Sequence, residues 1–328
     1  MASLTYFMAE WGNTAPFVEA RTSGSTGTPK SIRLPKADMR QSARATNAFF
    51  GIGPHSVLAS PLSFDYIAGK MMAVRACEAG CRLIELPVSN TIILPDGEQA
   101  IDLLPIVPSQ IQSLIDKPEY AARIRNVLIG GAAPSADSCD ALLAAGYKAY
   151  ISYGMTETCS HVALADAADR SRTFRAMPGI VFDTDADSRL IIDAPAFSFA
   201  RLHTNDVVEL LSPSTFRWRG RADGAINSGG IKLFPEELEQ LYAPALSGLS
   251  YYVCAEQHPR WGQSVMLVIE GRDIDTDAIA ARLRTIVADH RRLPKRIAAV
   301  AALPRTANGK IRRIPAGTRN AEFSGDEP

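Results

Sequence analysis

Short apolar runs and helical stretches alternate along the first part of the chain. The runs that predict strands lie at residues 57–60, 82–85, 126–129 and 148–152. Helices are predicted between them, at residues 69–79 and 134–145. This strand–helix–strand spacing favours a parallel sheet covered by helices, and such sheets bind ligands beyond the carboxyl ends of their strands. The segments that begin at Gly130 and Tyr153 follow two of these ends.

After residue 185 the pattern changes to short β runs, at residues 189–193, 207–211 and 215–219. A second unit is predicted beyond Asp223, with a loop at 227–230, a helix from Pro235, strands at 251–255 and 265–270, a helix at 276–290 and a strand at 297–301. Proline in the first turn, followed by two glutamates, favours the helix start at Pro235. We therefore predict an α/β protein with two domains. Residues 1–222 form a large domain with a helix-covered mixed or parallel sheet and a β-rich end, and residues 223–328 form a small, mobile α+β domain.

The composition narrows the class of partner. The 328 residues carry 35 basic and 35 acidic side chains, so the net charge is zero. This balance argues against a general nucleic-acid or membrane-surface binder and favours a small-molecule partner. Five scattered cysteines form no Cys-x-x-Cys pair, which indicates reduced thiols and a cytoplasmic location. No apolar run is long enough to span a bilayer, and the chain opens without a basic-then-apolar leader.

Residues 22–30 read Thr-Ser-Gly-Ser-Thr-Gly-Thr-Pro-Lys and contain no apolar side chain to bury. Gly24 and Gly27 let the backbone bend sharply, so that N–H groups line a concave row. With the hydroxyls and the mobile charge of Lys30, this composition suits a polyphosphate. A flexible serine–glycine linker is the alternative, but a linker needs neither the Pro-Lys ending nor the apolar–polar run that follows. The spacing is not that of the P-loop of kinases and GTPases.

Four further motifs follow in order along the chain. They are Tyr-Gly-Met-Thr-Glu at 153–157, Thr-Asn-Asp at 204–206, Gly-Arg-Ala-Asp at 220–223 and Pro-Arg-Thr-Ala-Asn-Gly-Lys at 304–310. Together with residues 22–30 they resemble the motifs of the adenylate-forming superfamily, which comprises acyl-CoA synthetases, peptide-synthetase adenylation domains and luciferases. The resemblance covers nearly the whole chain. It implies ATP, Mg²⁺ and coenzyme A as cofactors and the activation of a carboxylic acid, which requires positive charge and positioning around two anions.

The nucleotide-binding residues that this resemblance implies are Thr22, Ser23, Gly24, Ser25, Thr26, Gly27, Lys30, Gly131, Ala132, Ala133, Tyr153, Asp206 and Arg221. Residues 22–30 are expected to hold the β and γ phosphates. The backbone of residues 131–133 covers one side of the adenine, and Tyr153 stacks on the other. Asp206 and Arg221 contact the ribose. Two alternatives with a purely structural role stay open, since residues 130–134 also suit a strand-to-helix turn and Asp206 also suits a turn or a cap.

The catalytic residues implied are Thr156, Glu157 and Lys310. Thr156 is expected to donate to the α phosphate, and Glu157 to ligate Mg²⁺, which prefers hard oxygen donors. In the family, the lysine that matches Lys310 bridges the acyl carboxylate and the α phosphate during adenylation. The small domain then rotates about a hinge, matched here by Asp223, so that a thiol reaches the acyl group. An exposed carboxylate, a surface lysine and an ordinary Asp-Gly turn are the alternatives for Glu157, Lys310 and Asp223.

The acid is suggested by residues 153–160, Tyr-Gly-Met-Thr-Glu-Thr-Cys-Ser, which look most like o-succinylbenzoate–CoA ligases of menaquinone biosynthesis. That acid carries two carboxylates, and the one that does not react needs a cation or a row of donors. The candidate substrate-binding residues are Phe64, Lys70, Thr158, Ser160 and His161. Phe64 lies where the family has its acyl-pocket gate. Lys70 also suits a polar position before an apolar run, and His161 also suits an incidental polar group.

The chain departs from the family pattern at three places. Ser31 and Asn205 replace glycines that are usual after Pro-Lys and before the ribose aspartate, and only 21 residues precede the phosphate loop, where relatives have a whole subdomain. A homodimer that covers exposed sheet is one expectation for so short a chain. Three functions stay open: an acid–CoA ligase, an adenylation enzyme that loads a carrier-protein thiol, and a nucleotide-binding protein without turnover. The retained Glu157 and Lys310 favour an enzyme.

Overall fold

The structure, a computed structural model, describes residues 3–21, 31–97, 99–305 and 311–314. Along these ranges the helices α1 to α7 span Leu4–Gly12, Lys36–Phe50, Ile67–Ala79, Ile111–Ile115, Ala136–Ala144, Pro235–Tyr242 and Thr276–Ile286. The strands β1 to β18 span Phe17–Arg21, Ser31–Pro35, Val57–Ser60, Arg82–Glu85, Leu104–Ile106, Val127–Ile129, Ala149–Gly154, His161–Asp166, Thr173–Ala176, Val181–Thr184, Arg189–Ala194, Ala200–Ser212, Thr215–Arg221, Ile226–Ser228, Ile231–Leu233, Tyr251–His258, Gly262–Glu270 and Arg296–Val300. Every helix within these ranges is too short or too polar to cross a lipid bilayer.

The largest described sheet is mixed. Its nine strands follow the order β10-β11-β12-β13-β9-β8-β7-β6-β5. Neighbours are parallel from β5 to β7 and antiparallel from β7 onwards. The helix-covered mixed sheet with a β-rich end is therefore confirmed, because strand–helix–strand units build the parallel end and hairpins build the rest.

Helices α2 and α3 pack against each other beside the parallel pair β3 and β4. Residue 69 must be glycine here, because a Cβ would lie 2.3 Å from the carbonyl oxygen of Ser63. Helix α1 contacts α3 and buries Phe7 and Trp11 in a cluster shared with β1 and β2. Residues 3–21 thus pack beside α3, within the N-terminal region that the sequence analysis predicts to be shortened.

The residues after β13 build a sheet of their own, in the order β15-β14-β17-β16 with β18 parallel to β17. Its buried side chains form clusters separate from those of the first sheet. Contacts between the two parts include the ion pairs Arg219–Glu237 and Lys232–Asp187. A domain boundary at 222/223 stays a prediction.

The sequence pattern predicted which segments form strands more accurately than it predicted where helices and loops end. The predictions at 57–60 and 82–85 agree with β3 and β4. The helix predicted at 276–290 ends at Ile286, because Val287 turns into the core and Asp289 accepts an N–H bond that opens a separate 3-10 turn at His290–Arg292. The loop predicted at 227–230 is wrong in part, because Ile226–Ser228 pairs with Ile231–Leu233.

Candidate active site

The predicted site segments meet at the carboxyl ends of β6 and β7. These strands are parallel neighbours, so residues 130–133 and Tyr153 emerge at the same edge of the sheet. The Ser152 hydroxyl donates to the carbonyl of Ile129 at 2.9 Å and links the two ends. Gly131 has φ +81°, a left-handed conformation that glycine adopts without strain.

Residues 22–30 lie outside the described residues, but the strands on either side of them are described. Strands β1 and β2 pair antiparallel, with Arg21 opposite Ser31. Strand β2 contacts the 3-10 turn Thr156–Thr158. The residues that flank the predicted phosphate-binding segment are therefore paired with each other, and β2 lies beside the turn that carries Thr156 and Glu157.

The turn Thr156–Thr158 is built around the hydroxyl of Thr158, which is buried. This hydroxyl accepts the N–H of Met155 at 3.0 Å and lies 2.7 Å from the carbonyl oxygen of Ser160. Cys159 follows with φ 63°, which is unusual for a side chain larger than glycine, and burial raises the pKa of its thiol to about 12. The same turn leaves Glu157 exposed and without a hydrogen bond or ion pair to any described residue. It thus presents a carboxylate outwards while Thr158 supports the backbone.

A second group of side chains, the carboxylate cluster, comprises Tyr153, Asp206, Trp218 and Arg221. The Tyr153 hydroxyl donates to Asp206 Oδ2 at 2.7 Å, and the Trp218 indole N–H donates to Asp206 Oδ1 at 3.1 Å. Arg221 lies 3.9 Å from the same Oδ1. Burial, together with the Asp206 carboxylate, raises the pKa of Tyr153 well above its usual value. The structure thus brings three predicted nucleotide residues together and adds Trp218, which the sequence analysis missed.

Asp223, the predicted hinge residue, is joined to this cluster through Arg221. The guanidinium of Arg221 donates to both carboxylate oxygens of Asp223, at 3.0 and 2.9 Å. This bidentate pair raises the pKa of Arg221 and lowers the pKa of Asp223. A residue predicted to move between the two steps is therefore in contact with a residue predicted to bind ribose.

A third group, the cation cluster, comprises Arg75, Ser160, His161 and Thr46, and lies largely buried. Arg75 Nη2 donates to the Ser160 hydroxyl at 2.6 Å, and Nη1 lies 3.3 Å from Met72 Sδ. Its Nε–H has no partner, and Arg75 forms no ion pair with a carboxylate of the described ranges. Arg75 is only 2% exposed, and burial lowers its pKa to about 10. It therefore remains a charged and incompletely satisfied cation at neutral pH.

The hydrogen bonds of the cation cluster fix which ring nitrogen of His161 is the donor. The Thr46 hydroxyl uses its proton on the carbonyl of Ser42 at 3.0 Å, so His161 Nε2, 3.1 Å away, must be the donor to Thr46. That tautomer leaves Nδ1 as an acceptor facing the Ser160 hydroxyl at 3.4 Å. Burial and the nearby Arg75 charge lower the pKa of His161 well below its usual value. His161 is therefore neutral and oriented, next to the cation.

The other two predicted substrate residues lie deeper. Phe64 is fully buried in the core shared with α1. Lys70 donates at 2.8 Å to Glu10 Oε2 and at 2.8 Å to the Glu19 carbonyl, so its described partners are structural. A substrate-binding role for Phe64 stays a prediction, whereas the described pairing of Lys70 favours a structural role over the predicted substrate-binding one. Lys310 lies outside the described residues.

Arg75 and Thr46 were missed by the sequence analysis, although Arg75 gave a signal. It interrupts the apolar run from Met71 to Ala76 in a helix that was predicted correctly. A cation inside such a run is either at the surface or paired in the core. Trp218 gave no comparable signal, because an aromatic residue in a β run is ordinary.

Known proteins resemble this chain over most of its length. The family described as AMP-binding enzyme matches residues 20–187. A probable 2-succinylbenzoate–CoA ligase of Mycobacterium tuberculosis is 29% identical, over 89% of this chain and 81% of that protein. An indoleacetate–CoA ligase of Aromatoleum aromaticum is 26% identical, over 92% of this chain and 67% of that protein. The crystal structure of an AMP-forming acyl-CoA synthetase/AMP-acid ligase II-like protein from Dyadobacter fermentans is 32% identical, with a TM-score of 0.62, over 94% of this chain and 91% of that chain. This chain therefore belongs to the AMP-binding enzyme family, the adenylate-forming superfamily predicted from its motifs, and its enzyme class is that of the AMP-forming acid–thiol ligases.

Proposed function

We propose that this enzyme joins an aromatic dicarboxylic acid to coenzyme A through an acyl-adenylate, with o-succinylbenzoate, and hence menaquinone biosynthesis, as the first candidate. The names of several relatives support a CoA ligase, and the acid in the name of the Mycobacterium tuberculosis relative is a dicarboxylate. The Aromatoleum aromaticum relative is named for a monocarboxylic aromatic acid. The choice between these classes depends on the site rather than on the names.

The observation that carries the dicarboxylate is Arg75. A buried charge is costly unless it is paired and hydrogen-bonded. Within the described ranges Arg75 has a hydroxyl and a thioether as partners and an unused Nε–H. Its hydroxyl partner, Ser160, comes two residues after the Thr156–Thr158 turn, where the activated carboxylate is expected. A second carboxylate on the same acid would supply the missing negative charge, whereas indoleacetate has none to offer.

The carboxylate cluster and residues 131–133 are proposed to hold the nucleoside of ATP. Asp206 keeps unused lone pairs on both oxygens, because each oxygen accepts one described hydrogen bond. The ribose hydroxyls are donors that fit these lone pairs. Tyr153 lies beside the glycine turn, so an adenine between them would have a flat partner on each side. The phosphates then extend towards residues 22–30 and Thr156.

Glu157 is the residue proposed to hold Mg²⁺. The ion takes few protein carboxylates in phosphate sites and completes its shell with phosphate oxygens and water, so one outward carboxylate fits it. The described residues contain no group of three or more His, Cys, Asp or Glu side chains that would form a protein-only metal site. When bound, the metal neutralises phosphate charge. Glu157→Gln is expected to raise the magnesium concentration for half-maximal rate, and an unchanged requirement would contradict the assignment.

Lys310 and Asp223 are proposed to separate the two steps. In the first step the Lys310 ammonium stabilises charge that passes between the acid carboxylate and the α phosphate, and pyrophosphate leaves. The small domain then turns about Asp223, and the thiolate sulfur attacks the acyl carbon while AMP leaves. Turning about Asp223 changes the Arg221–Asp223 pair and the Arg219–Glu237 contact, which both join the two parts of the chain.

Coenzyme A is favoured over a carrier protein by the small unit's charge. A recess of about 340 Å³ is lined there by Arg284, His290 and Lys295 above apolar side chains. The Lys295 ammonium lies 5.2 Å from the ring of Trp261, whose carbonyl accepts the N–H of Gly229 at 3.0 Å. Three basic side chains suit the phosphates of a soluble nucleotide thiol. A phosphopantetheinylated carrier protein is the competing acceptor.

The test is an acid panel with ATP, scored by release of AMP and pyrophosphate. We expect o-succinylbenzoate to exceed both indoleacetate and the analogue that lacks the ring carboxylate, and CoA to exceed a loaded carrier protein as acceptor. Equal rates with the analogue would contradict the role of Arg75. Rates confined to another acid would reject o-succinylbenzoate, and no release with any acid would reject the ligase.

The location and assembly are proposals of the same kind. The five cysteines form no disulfide bond within the described residues, which supports a reducing cytoplasm. A homodimer is testable by light scattering at the working concentration, and a single monomer mass would reject it.

A further inference from the structure

An irregular register between β12 and β13 brings Trp218 to Asp206. The strands pair Asp206 with Arg221, Val207 with Gly220 and Val208 with Trp218, so the register shifts between Val207 and Val208. Side chains three apart on a regular strand point to opposite faces. The extra residue of the bulge turns Trp218 and Arg221 to the same face, and both reach Asp206. Bulges that re-aim a side chain in this way are common beside active sites.

The bulge also depends on Gly220. Its φ is +154°, and a Cβ there would lie 2.7 Å from Glu236 Oε2 and 2.8 Å from Phe234 Cβ. Glu236 in α6 and Phe234 just before it therefore leave no room for a side chain at residue 220, and only glycine fits there. The position of Trp218 is therefore specified by the fold rather than by the indole alone.

Asp206 is then held from both sides by uncharged donors. Tyr153 occupies one lone pair of Oδ2 and Trp218 one lone pair of Oδ1, while the Thr204 hydroxyl accepts the Asp206 N–H at 3.1 Å. The carboxylate is 6% exposed by residue and cannot swing freely between two fixed donors. Its remaining lone pairs have set directions, as recognition of a vicinal diol requires.

The geometry points to Trp218 as a positioning residue that orients Asp206 for the two ribose hydroxyls of ATP. The inference rests on the proposed nucleotide site and deepens it. Trp218 acts through Asp206, so its loss should weaken the recognition of the hydroxyls rather than the binding of phosphates or adenine.

The experiment compares wild type with Trp218→Phe, which removes the N–H donor and keeps an aromatic ring. Dissociation constants are measured calorimetrically for ATP, 2′-deoxy-ATP and 3′-deoxy-ATP, without acid or CoA. The preference is the dissociation constant of a deoxynucleotide divided by that of ATP. We expect this ratio to be about two- to tenfold smaller in the variant than in wild type. Trp11→Phe is the matched control, because Trp11 lies in the α1 core, and it should keep the preference.

The outcomes separate the two levels of the proposal. A variant that weakens all three nucleotides equally has lost structure rather than orientation, and this result would overturn the role of Trp218. A wild type that binds ATP without preference for the hydroxyls would overturn it too, together with the ribose role of Asp206. A wild type that binds no ATP would reject the proposed function itself.

A second measurement guards against poor folding of the variant. The chain with Trp11→Phe and Trp261→Phe keeps Trp218 as its only tryptophan. Saturating ATP should shift the emission of this indole, and the 2′- and 3′-deoxynucleotides should shift it less. An emission that responds equally to all three nucleotides, or to none, would count against the inference.

Discussion

The carboxylate cluster and the cation cluster carry opposite charges, but they differ in how far their described neighbours satisfy those charges. Asp206 accepts hydrogen bonds from Tyr153 and Trp218 on separate oxygens. Among the described residues, Arg75 has one good hydrogen bond, to Ser160, and a buried Nε–H with no partner. The first charge is satisfied by two neutral donors and the nearby Arg221, so a neutral donor such as a ribose hydroxyl can join it. The second still requires an anion, because the described protein supplies none.

The largest expected effect concerns Lys310, which is proposed to act between the acid carboxylate and the α phosphate of the nucleotide. Lys310→Ala should slow adenylate formation about 100- to 1,000-fold, the usual loss for one preorganised electrostatic donor. The thiol step, started from prepared acyl-adenylate and CoA, should stay near wild type, because the lysine has no charge to stabilise there. The rates of both half-reactions are measured in the same variant. Arg312→Ala, an exposed neighbour, is the control, and equal loss in both steps would show that Lys310 is structural.

The next largest effect is expected when the buried charge of Arg75 is removed. Arg75→Met keeps the stem and removes the unpaired charge, so KM for o-succinylbenzoate should rise about ten- to a hundredfold, with KM for ATP unchanged. The same variant should not lose thermal stability without ligand, because replacing a buried charge by an apolar side chain is often neutral or stabilising. Arg75→Lys, which keeps a charge, should be intermediate. A destabilised variant with unchanged KM would make Arg75 a structural residue.

A smaller effect uses a second buried cation on the same helix. Lys70, one and a half turns before Arg75, is already paired with Glu10 at 2.8 Å. Lys70→Met should therefore lower the free energy of unfolding by about 1–3 kcal/mol, since Glu10 is left unpaired but partly exposed. KM for the acid should change little. Denaturant unfolding of Lys70→Met, Glu10→Gln and the double variant measures the coupling, and a large effect on KM would return Lys70 to the acid site.

The smallest expected effect is the pH dependence of stability that His161 contributes within the cation cluster. Because the folded-state pKa of His161 lies well below its unfolded value, the unfolded state binds the extra proton below the ordinary histidine pKa of about 6.5. Stability should therefore be complete above that pH and fall as the pH drops, by up to about 1.4 kcal/mol per unit. Unfolding at pH 5 to 8 should show this slope in wild type and in His203→Gln, but not in His161→Gln. Equal slopes in all three would place the titration elsewhere.

The residues that the sequence located and those it missed differ in kind. Tyr153, Asp206 and Arg221 stand in short ordered motifs, and the structure brings them together, since Tyr153 donates to Asp206 and Arg221 lies 3.9 Å from it. Arg75 and Trp218 stand in ordinary helical and β patterns. Their contacts cross 85 and 12 positions of the chain, to Ser160 and Asp206. No local pattern encodes such a contact, because it depends on helix packing and strand register.

What the sequence by itself determined is the superfamily, the mixed α/β fold and the segments around which a nucleotide and an acid would gather. These follow from local rules, namely apolar periodicity, glycine and proline punctuation, and the order of polar motifs. The tertiary structure decided which charges are paired. The β12–β13 bulge aims Trp218 at Asp206, and α1 brings Glu10 to Lys70. The packing of α2, α3 and β8 encloses Arg75 with no counter-ion among the described residues. Pairing of buried charge is a property of three-dimensional neighbours, and it is the property on which the proposed acid rests.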